Sequence, residues 1–258
     1  MKVIDIYEYI NKFAPFDSCD SFDNVGLLVG DMYDDVNCVL LATDITHAVI
    51  NEALEKEANL IITHHPVIFN PLKKVNKGSI AYRLIENGIS VISAHTNLDM
   101  ASGGVSDMML DLLGFSGNKI FEVIGEYDSK PQGYGKIVKL IEPITTNELL
   151  QKVKSAFSVH TIRYTDSGEL IRKIAVCSGA GGHNIELAVE KNCDAYITGD
   201  CKHNQFIDAK NLGLTLIDAG HFHTERIFAP VLAKKLSKHF PEISFTVAEN
   251  DTDPVMYF

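Results

Sequence analysis

At 258 residues, 46% of them hydrophobic, the chain can bury one large core or two modest ones, so folding needs no staple. A formal net charge of −11 sets up a field that repels nucleic acid and anionic membranes. The five cysteines form no C-x-x-C pair, no run of about 18 uncharged apolar residues occurs, and residues 1 to 13 are broken by Asp5, Glu8 and Lys12. Together these exclude a membrane span and a signal peptide from the reading, and predict a cytoplasmic protein with reduced thiols.

Taken in chain order, the segment from Val36, VNCVLLATDITHAVINEALEKEANLIITHHP, predicts a buried strand, a helix and a second strand that ends in His64 and His65. The exposed cluster Lys73, Lys74 and Lys77 follows and reads as a solvated loop. A third strand, GISVISAHTNLD at 88 to 99, ends in His95 with Asp99 four residues later. Gly103 and Gly104 then set the start of another helix. Residues 121 to 172 differ in pattern. GYGKIVKLIEP is strand-like, TTNELLQKVKSAF predicts a helix with Thr146 as N-cap, and TIRYTDSGELIRKIAV predicts a hairpin turning at 166 to 168.

From Lys173 the first pattern returns: KIAVCSGAGGHNIELAVEKNCDAYITGDCKH gives strand, helix and strand. A third strand, GLTLIDAGHFHTE at 213 to 225, again ends in a histidine, His221, with a carboxylate, Glu225, four residues on. Short apolar runs alternating with helical periods imply βαβ units whose parallel strands are buried on both faces. The fold class is therefore α/β, two intertwined βαβ-type repeats with the site between them. Residues 1–120 form the first and 121–258 the second, with 121–172 an α+β elaboration. In such sheets ligands bind at the carboxyl ends of strands, which is where the histidines fall. Glu225 is expected in the first turn of an amphipathic helix that begins near Thr224 and ends near Lys238.

His64, His65, Asp99, His221 and Glu225 suffice for two metal ions about 3.5 to 4 Å apart, which need a bridging carboxylate and further imidazole or carboxylate donors. In an extended segment adjacent histidines point to opposite faces, but the turn before Pro66 can bring both rings to one cavity. His95 is assigned a catalytic, proton-carrying role; supporting a ligand or capping a turn are its other readings. His203 and His223 carry weaker signals, and His183 and His239 read as surface residues. The loop Ser178–His183 has the geometry to present N–H groups to an anion. It lacks the P-loop lysine and the dinucleotide fingerprint, so a tight turn that needs glycine is the reading kept. His and carboxylate donors suit zinc, iron, manganese and nickel alike.

FDNVGLLVG at 22–30, ITHHPVIF at 62–69, SAHTNLD at 93–99, YITGDCKHNQ at 196–205 and DAGHFHTE at 218–225 resemble, in order, the signature segments of the Nif-three-like dinuclear-metal proteins, the GTP cyclohydrolase 1 type 2 homologues. The resemblance implies a duplicated fold, a homohexameric toroid and two divalent ions per chain. It implies that His64 and His65 ligate separate ions, Asp99 one of them, His221 the other, and that Glu225 bridges both. Some longer relatives carry an inserted domain for which this chain has no room. The function expected is a metal-dependent hydrolase acting on a nucleotide, phosphoester or purine-type C–N centre, with a small anionic substrate. The alternative is a non-enzymatic metal-binding scaffold, store or chaperone. A DNA-binding ring is opposed by the acidity.

Overall fold

The computed structural model describes residues 1–117 and 119–256. In chain order the first elements are α1 (Val3–Phe13), β1 (Gly26–Val29), β2 (Cys38–Ala42), α2 (His47–Glu55), β3 (Leu60–Thr63), α3 (Ile80–Glu86), β4 (Ser90–Ser93) and the short α4 (Thr96–Met100). Then come α5 (Val105–Leu113), β5 (Lys119–Tyr127), β6 (Lys130–Ile144), α6 (Thr146–Ala156), β7 (Arg163–Tyr164), β8 (Ile171–Val176), α7 (Ile185–Glu190), β9 (Ala195–Thr198), α8 (His203–Asn211), β10 (Thr215–Asp218) and α9 (His221–Glu225). The chain closes with α10 (Phe228–His239) and β11 (Ser244–Val247).

The elements sort into two compact units. The first holds Met1–Ser102 and Phe228–Pro254, the second Gly103–Ile227 with Val255 and Met256. The sequence division at 120 thus cuts differently: α5 belongs to the second unit, and α10 with β11 returns to the first. The physical reason is strand pairing, because β11 runs parallel to β2 with Phe245 opposite Val39.

In the first unit five strands lie in the order β1-β4-β3-β2-β11. β2, β3 and β4 run parallel, with Leu40 opposite Ile61 and Ile61 opposite Val91. Every residue of β3 and β4 is buried, as expected of parallel strands covered on both faces, and the hydroxyls of Thr63 and Ser93 pair with each other at 2.8 Å. Val49, Ile50 and Ala53 of α2 and Leu84 of α3 pack on Leu40, Ile61 and Val91. Each helix opens on a hydroxyl cap: Val49 N–H donates to Thr46 and Tyr82 N–H to Ser79.

The second unit repeats this frame. Its six strands lie in the order β5-β6-β8-β9-β10-β7, with β8, β9 and β10 parallel. Ala175, Tyr196 and Leu216 pack with Ile185 and Ala188 of α7 and Ala209 of α8. The fold is a duplicated α/β fold. Three local expectations change. The N-cap of α6 is Thr145 rather than Thr146, because Glu148 reaches back to the Thr145 N–H at 2.7 Å and closes a capping box. Residues 163–176 form no hairpin. Gly168 N–H donates to Asp166 as a turn requires, but β7 pairs with β10 at the far edge of the sheet. Glu225 ends its own short helix, α9, instead of opening the long one, since Arg226 and Ile227 separate α9 from α10.

Candidate metal centre

Parallel β2, β3 and β4 bring their carboxyl ends to one edge of the first sheet. Asp44 lies just past β2, His64 and His65 just past β3, and His95 just past β4. The backbone continues the ladder a little further, with His64 N–H donating to Ala42 O and His65 N–H to Thr43 O. His64 and His65 do end as neighbours, with ring centroids 5.3 Å apart. His95 joins them at 5.1 Å from His64 and 5.5 Å from His65. One donor atom from each of these three lies within 4.8 Å of the other two. His64 is fully buried, and its Nε2 stands 3.6 Å from Oδ1 of buried Asp99, presented by α4. The expected ligands of the first unit are therefore together, and His95 stands close enough to be counted with them.

Every ring is held from behind. Carbonyl and carboxylate oxygens can only accept here, so each Nδ1 carries the proton: His64 donates to Ala94 O at 3.0 Å, His65 to Asp44 at 2.8 Å and His95 to Asp23 at 2.9 Å. Nε2 is then the nitrogen of each ring that presents a lone pair, the arrangement in which metal-binding histidines are usually fixed. Asp23 also accepts from the Thr96 hydroxyl at 2.6 Å and the Thr96 N–H at 3.1 Å. Burial alone would push its carboxyl up, but the bonds from His95 and Thr96 prevail and hold it at about 2.

The other two expected ligands belong to the second unit. Asp218, at the end of β10, accepts Gly220 N–H at 3.0 Å and shapes a turn in which Gly220 adopts φ 85°, the left-handed region that favours glycine. That turn starts α9, so His221 and Glu225 lie one helical turn apart, His221 Nε2 to Glu225 Oε2 being 3.0 Å. His221 Nδ1–H donates to Asp200 at 2.8 Å. Burial pulls the imidazole down, yet Glu225 on one nitrogen and Asp200 on the other raise it to about 9.

The glycine loop after β8 packs against this pair. A Cβ on Gly179, whose φ is +62°, would come within 2.3 Å of Glu225 Oε1. Gly179 N–H donates to Thr224 Oγ1 at 3.0 Å, Gly181 N–H to Thr198 Oγ1 at 3.0 Å, and the buried Tyr196 hydroxyl to Gly181 O at 2.8 Å. Gly179 serves close approach to the Glu225 carboxylate, while a Cβ on Gly181 would come within 2.4 Å of the Tyr196 hydroxyl, in keeping with the tight-turn reading. His183 and His203 are exposed, and exposed His239 stacks on Tyr9 at 4.1 Å. His223 is half-buried with its ring against the edge of Phe222.

Sequence reasoning missed Asp23, Asp44 and Asp200 as the carboxylates behind the histidines. Their one signal is position: Asp44 closes LLATD and Asp200 closes YITGD, each just past a buried strand.

Across residues 1–254 the chain matches the family Duf34/NIF3 (NGG1p interacting factor 3). It is 36% identical to the GTP cyclohydrolase 1 type 2 homolog of Clostridium acetobutylicum, over 100% of this chain and 99% of that protein. Among solved structures it resembles Staphylococcus aureus protein SA1388, with a TM-score of 0.90 and 29% identity over 100% of this chain and 99% of that one. It also resembles reduced HcgD from Methanocaldococcus jannaschii, with a TM-score of 0.82 and 30% identity over 96% of this chain and 98% of that one. The match over nearly the whole length, with the duplicated fold, makes this chain a member of the Duf34/NIF3 family.

Proposed function

We propose that the chain binds two divalent metal ions with His64, His65, Asp99, His221 and Glu225, and acts as a metal-dependent hydrolase on a phosphoester, nucleotide or purine-type C–N centre. The observation that carries this reading is the set of backing bonds. All four histidines at the strand ends donate Nδ1–H to a backbone or carboxylate oxygen, and that arrangement prepares Nε2 for a metal. The donor chemistry fits, since imidazole with two carboxylates suits zinc, iron, manganese or nickel. When bound, such ions supply Lewis acidity, polarising a phosphoryl or carbonyl oxygen and making water more acidic.

The residues of the chain do the rest. Asp99 and Glu225 offset the charge of the ions. His95, with Nδ1–H fixed on an ionised Asp23, keeps Nε2 for taking a proton from water or giving one to the leaving atom. The names of relatives as GTP cyclohydrolase 1 type 2 homologs support a purine nucleotide among the substrates. On the family resemblance alone we propose a homohexamer, and on the composition a cytoplasmic protein. Five cysteines without a disulfide suit that compartment, and no helix of the described residues is long and apolar enough to cross a membrane.

The test is elemental analysis on metal-saturated protein together with a turnover screen of phosphoesters and purine nucleotides under each metal. Two ions per chain and turnover lost with the ligands is the expected result. At most one ion after saturation would overturn the dinuclear centre, and two tightly held ions without turnover would make the protein a metal store.

A further inference from the structure

Two exposed aromatic rings sit on the chain segments that carry His65 and the carboxylate behind His95. Phe22 is 60% exposed and Phe69 46%, although the large hydrophobic side chains of β2, β3 and β4 are buried. Their centroids are 6.4 Å apart with the rings inclined at 46°. Neither ring is loose in sequence or in space. Phe22 directly precedes Asp23, the carboxylate that holds His95, and Phe69 lies four residues after His65. Asn24 Nδ2–H donates to Ile68 O at 2.5 Å, tying the two segments together. An exposed aromatic pair fastened next to a reactive cluster loses hydrophobic stabilisation in the free protein and gains it when a flat partner covers it.

The same loop continues into Lys73, Lys74 and Lys77, all exposed and none in an ion pair among the described residues. In a chain of net charge −11, most of the surface repels an anion. A basic stretch leading away from the aromatic pair and the histidines gives a phosphate somewhere to settle.

We infer that Phe22 and Phe69 are the stacking face for a planar heteroaromatic ring of the substrate, and that Lys73, Lys74 and Lys77 receive its phosphate. The inference rests on the hydrolase reading and assigns to it the residues that choose the substrate. Base stacking tolerates many rings, so the face selects the class, a nucleotide over a simple phosphoester, more than one base.

The experiment is equilibrium binding of GMP, guanosine and ribose 5-phosphate to the full, metal-loaded chain, with metal content and light scattering on the same samples. Phe22→Ala/Phe69→Ala is expected to weaken GMP and guanosine by roughly tenfold to a hundredfold, leaving ribose 5-phosphate and metal unchanged. Phe22→Tyr/Phe69→Tyr is expected to restore most of the loss. Lys73→Ala/Lys74→Ala/Lys77→Ala is expected to weaken GMP and ribose 5-phosphate together and flatten their salt dependence, leaving guanosine alone. Wild-type protein that ignores GMP at millimolar concentration overturns the inference, as does unchanged GMP affinity in the double alanine variant. A change in oligomeric state in that variant also overturns it, because the rings would then be a contact between copies. Stacking by protein that takes up at most one ion after metal saturation sinks the dinuclear centre and leaves the face standing. Two ions with no effect of the phenylalanines does the reverse.

Discussion

The two repeats share a frame but place different chemistry at the same strand ends. β3 ends in Thr63 followed by His64 and His65, while β9, its counterpart, ends in Thr198 followed by Gly199 and Asp200. Space explains the difference. A Cβ on Gly199 would stand 2.6 Å from His221 N, so no histidine fits there, and the next residue supplies a carboxylate to His221 Nδ1 instead. At the next strand both repeats carry a histidine with a carboxylate four residues later, but His95 is held by Asp23, just ahead of β1, and His221 by Asp200, just past β9. A duplicated scaffold thus yields a three-histidine half and a histidine–glutamate half.

The largest effect that probes this division comes from the carboxylates. Glu225→Gln is expected to lose both ions and Asp99→Asn mainly one, read by elemental analysis after saturation and dialysis. Equal losses from the two variants would break the assignment of Glu225 as the bridge.

Next in size is His95→Ala. If the first repeat uses this histidine to carry a proton while the second uses His221 as a ligand, the variant keeps both ions and turns over about a hundredfold to ten-thousandfold more slowly. His95 donors lie within ligand reach of His64 and His65, so loss of one ion per chain would instead make the two histidines equivalent.

The parts of this contrast that were legible in the sequence are those with a period or a fixed spacing. LIIT and SVIS are short runs with apolar centres and no charge, and His95 with Asp99 and His221 with Glu225 keep a one-turn separation. The carboxylates behind the rings were not legible, because any of 34 acidic residues could have held a histidine and only the folded edge selects Asp23, Asp44 and Asp200. The two-residue β7 was read into a hairpin since its partner, β10, lies about fifty residues further along the chain, where no local pattern points. The break between α9 and α10 is not legible for a related reason: Thr224 resembles an N-cap, yet its hydroxyl donates to His221 O within α9 and accepts from Gly179 N–H of the glycine loop.

A smaller change sharpens the comparison of backing carboxylates. Asp44→Asn and Asp200→Asn each keep the shape of the side chain but weaken the hold on one ring, so metal affinity should fall by roughly ten- to a hundredfold. Each change should act on a different ion, measured by chelator competition as two-step release. Loss of the same ion from both variants would mean that His65 and His221 serve one metal.

The smallest expected effect concerns how the first repeat is fastened. α2 buries a carboxylate, Glu52, whereas the buried residues of its counterpart α7 are Ile185 and Ala188. Glu52 accepts from Glu249 N–H at 2.9 Å, Asn250 N–H at 2.8 Å and Lys56 Nζ at 2.7 Å, tying α2 to the segment after β11. That segment goes on to Asp251, which accepts Thr43 N–H at 2.6 Å beside Asp44. Burial pushes the Glu52 carboxyl up, but the bonds from Lys56, Glu249 and Asn250 outweigh it and hold the group below its ordinary value. A lowered folded value means the stabilisation is complete above the ordinary carboxylate range and fades as pH falls through the folded value. Glu52→Gln is therefore expected to lower stability by about 1 to 3 kcal/mol near neutral pH, and the gap between variant and parent should close on acidification, when the parent carboxyl is itself protonated. Urea unfolding of both proteins across acid pH reads this directly. A gap that stays constant with pH would show that shape rather than charge fastens α2, and would remove this difference between the repeats.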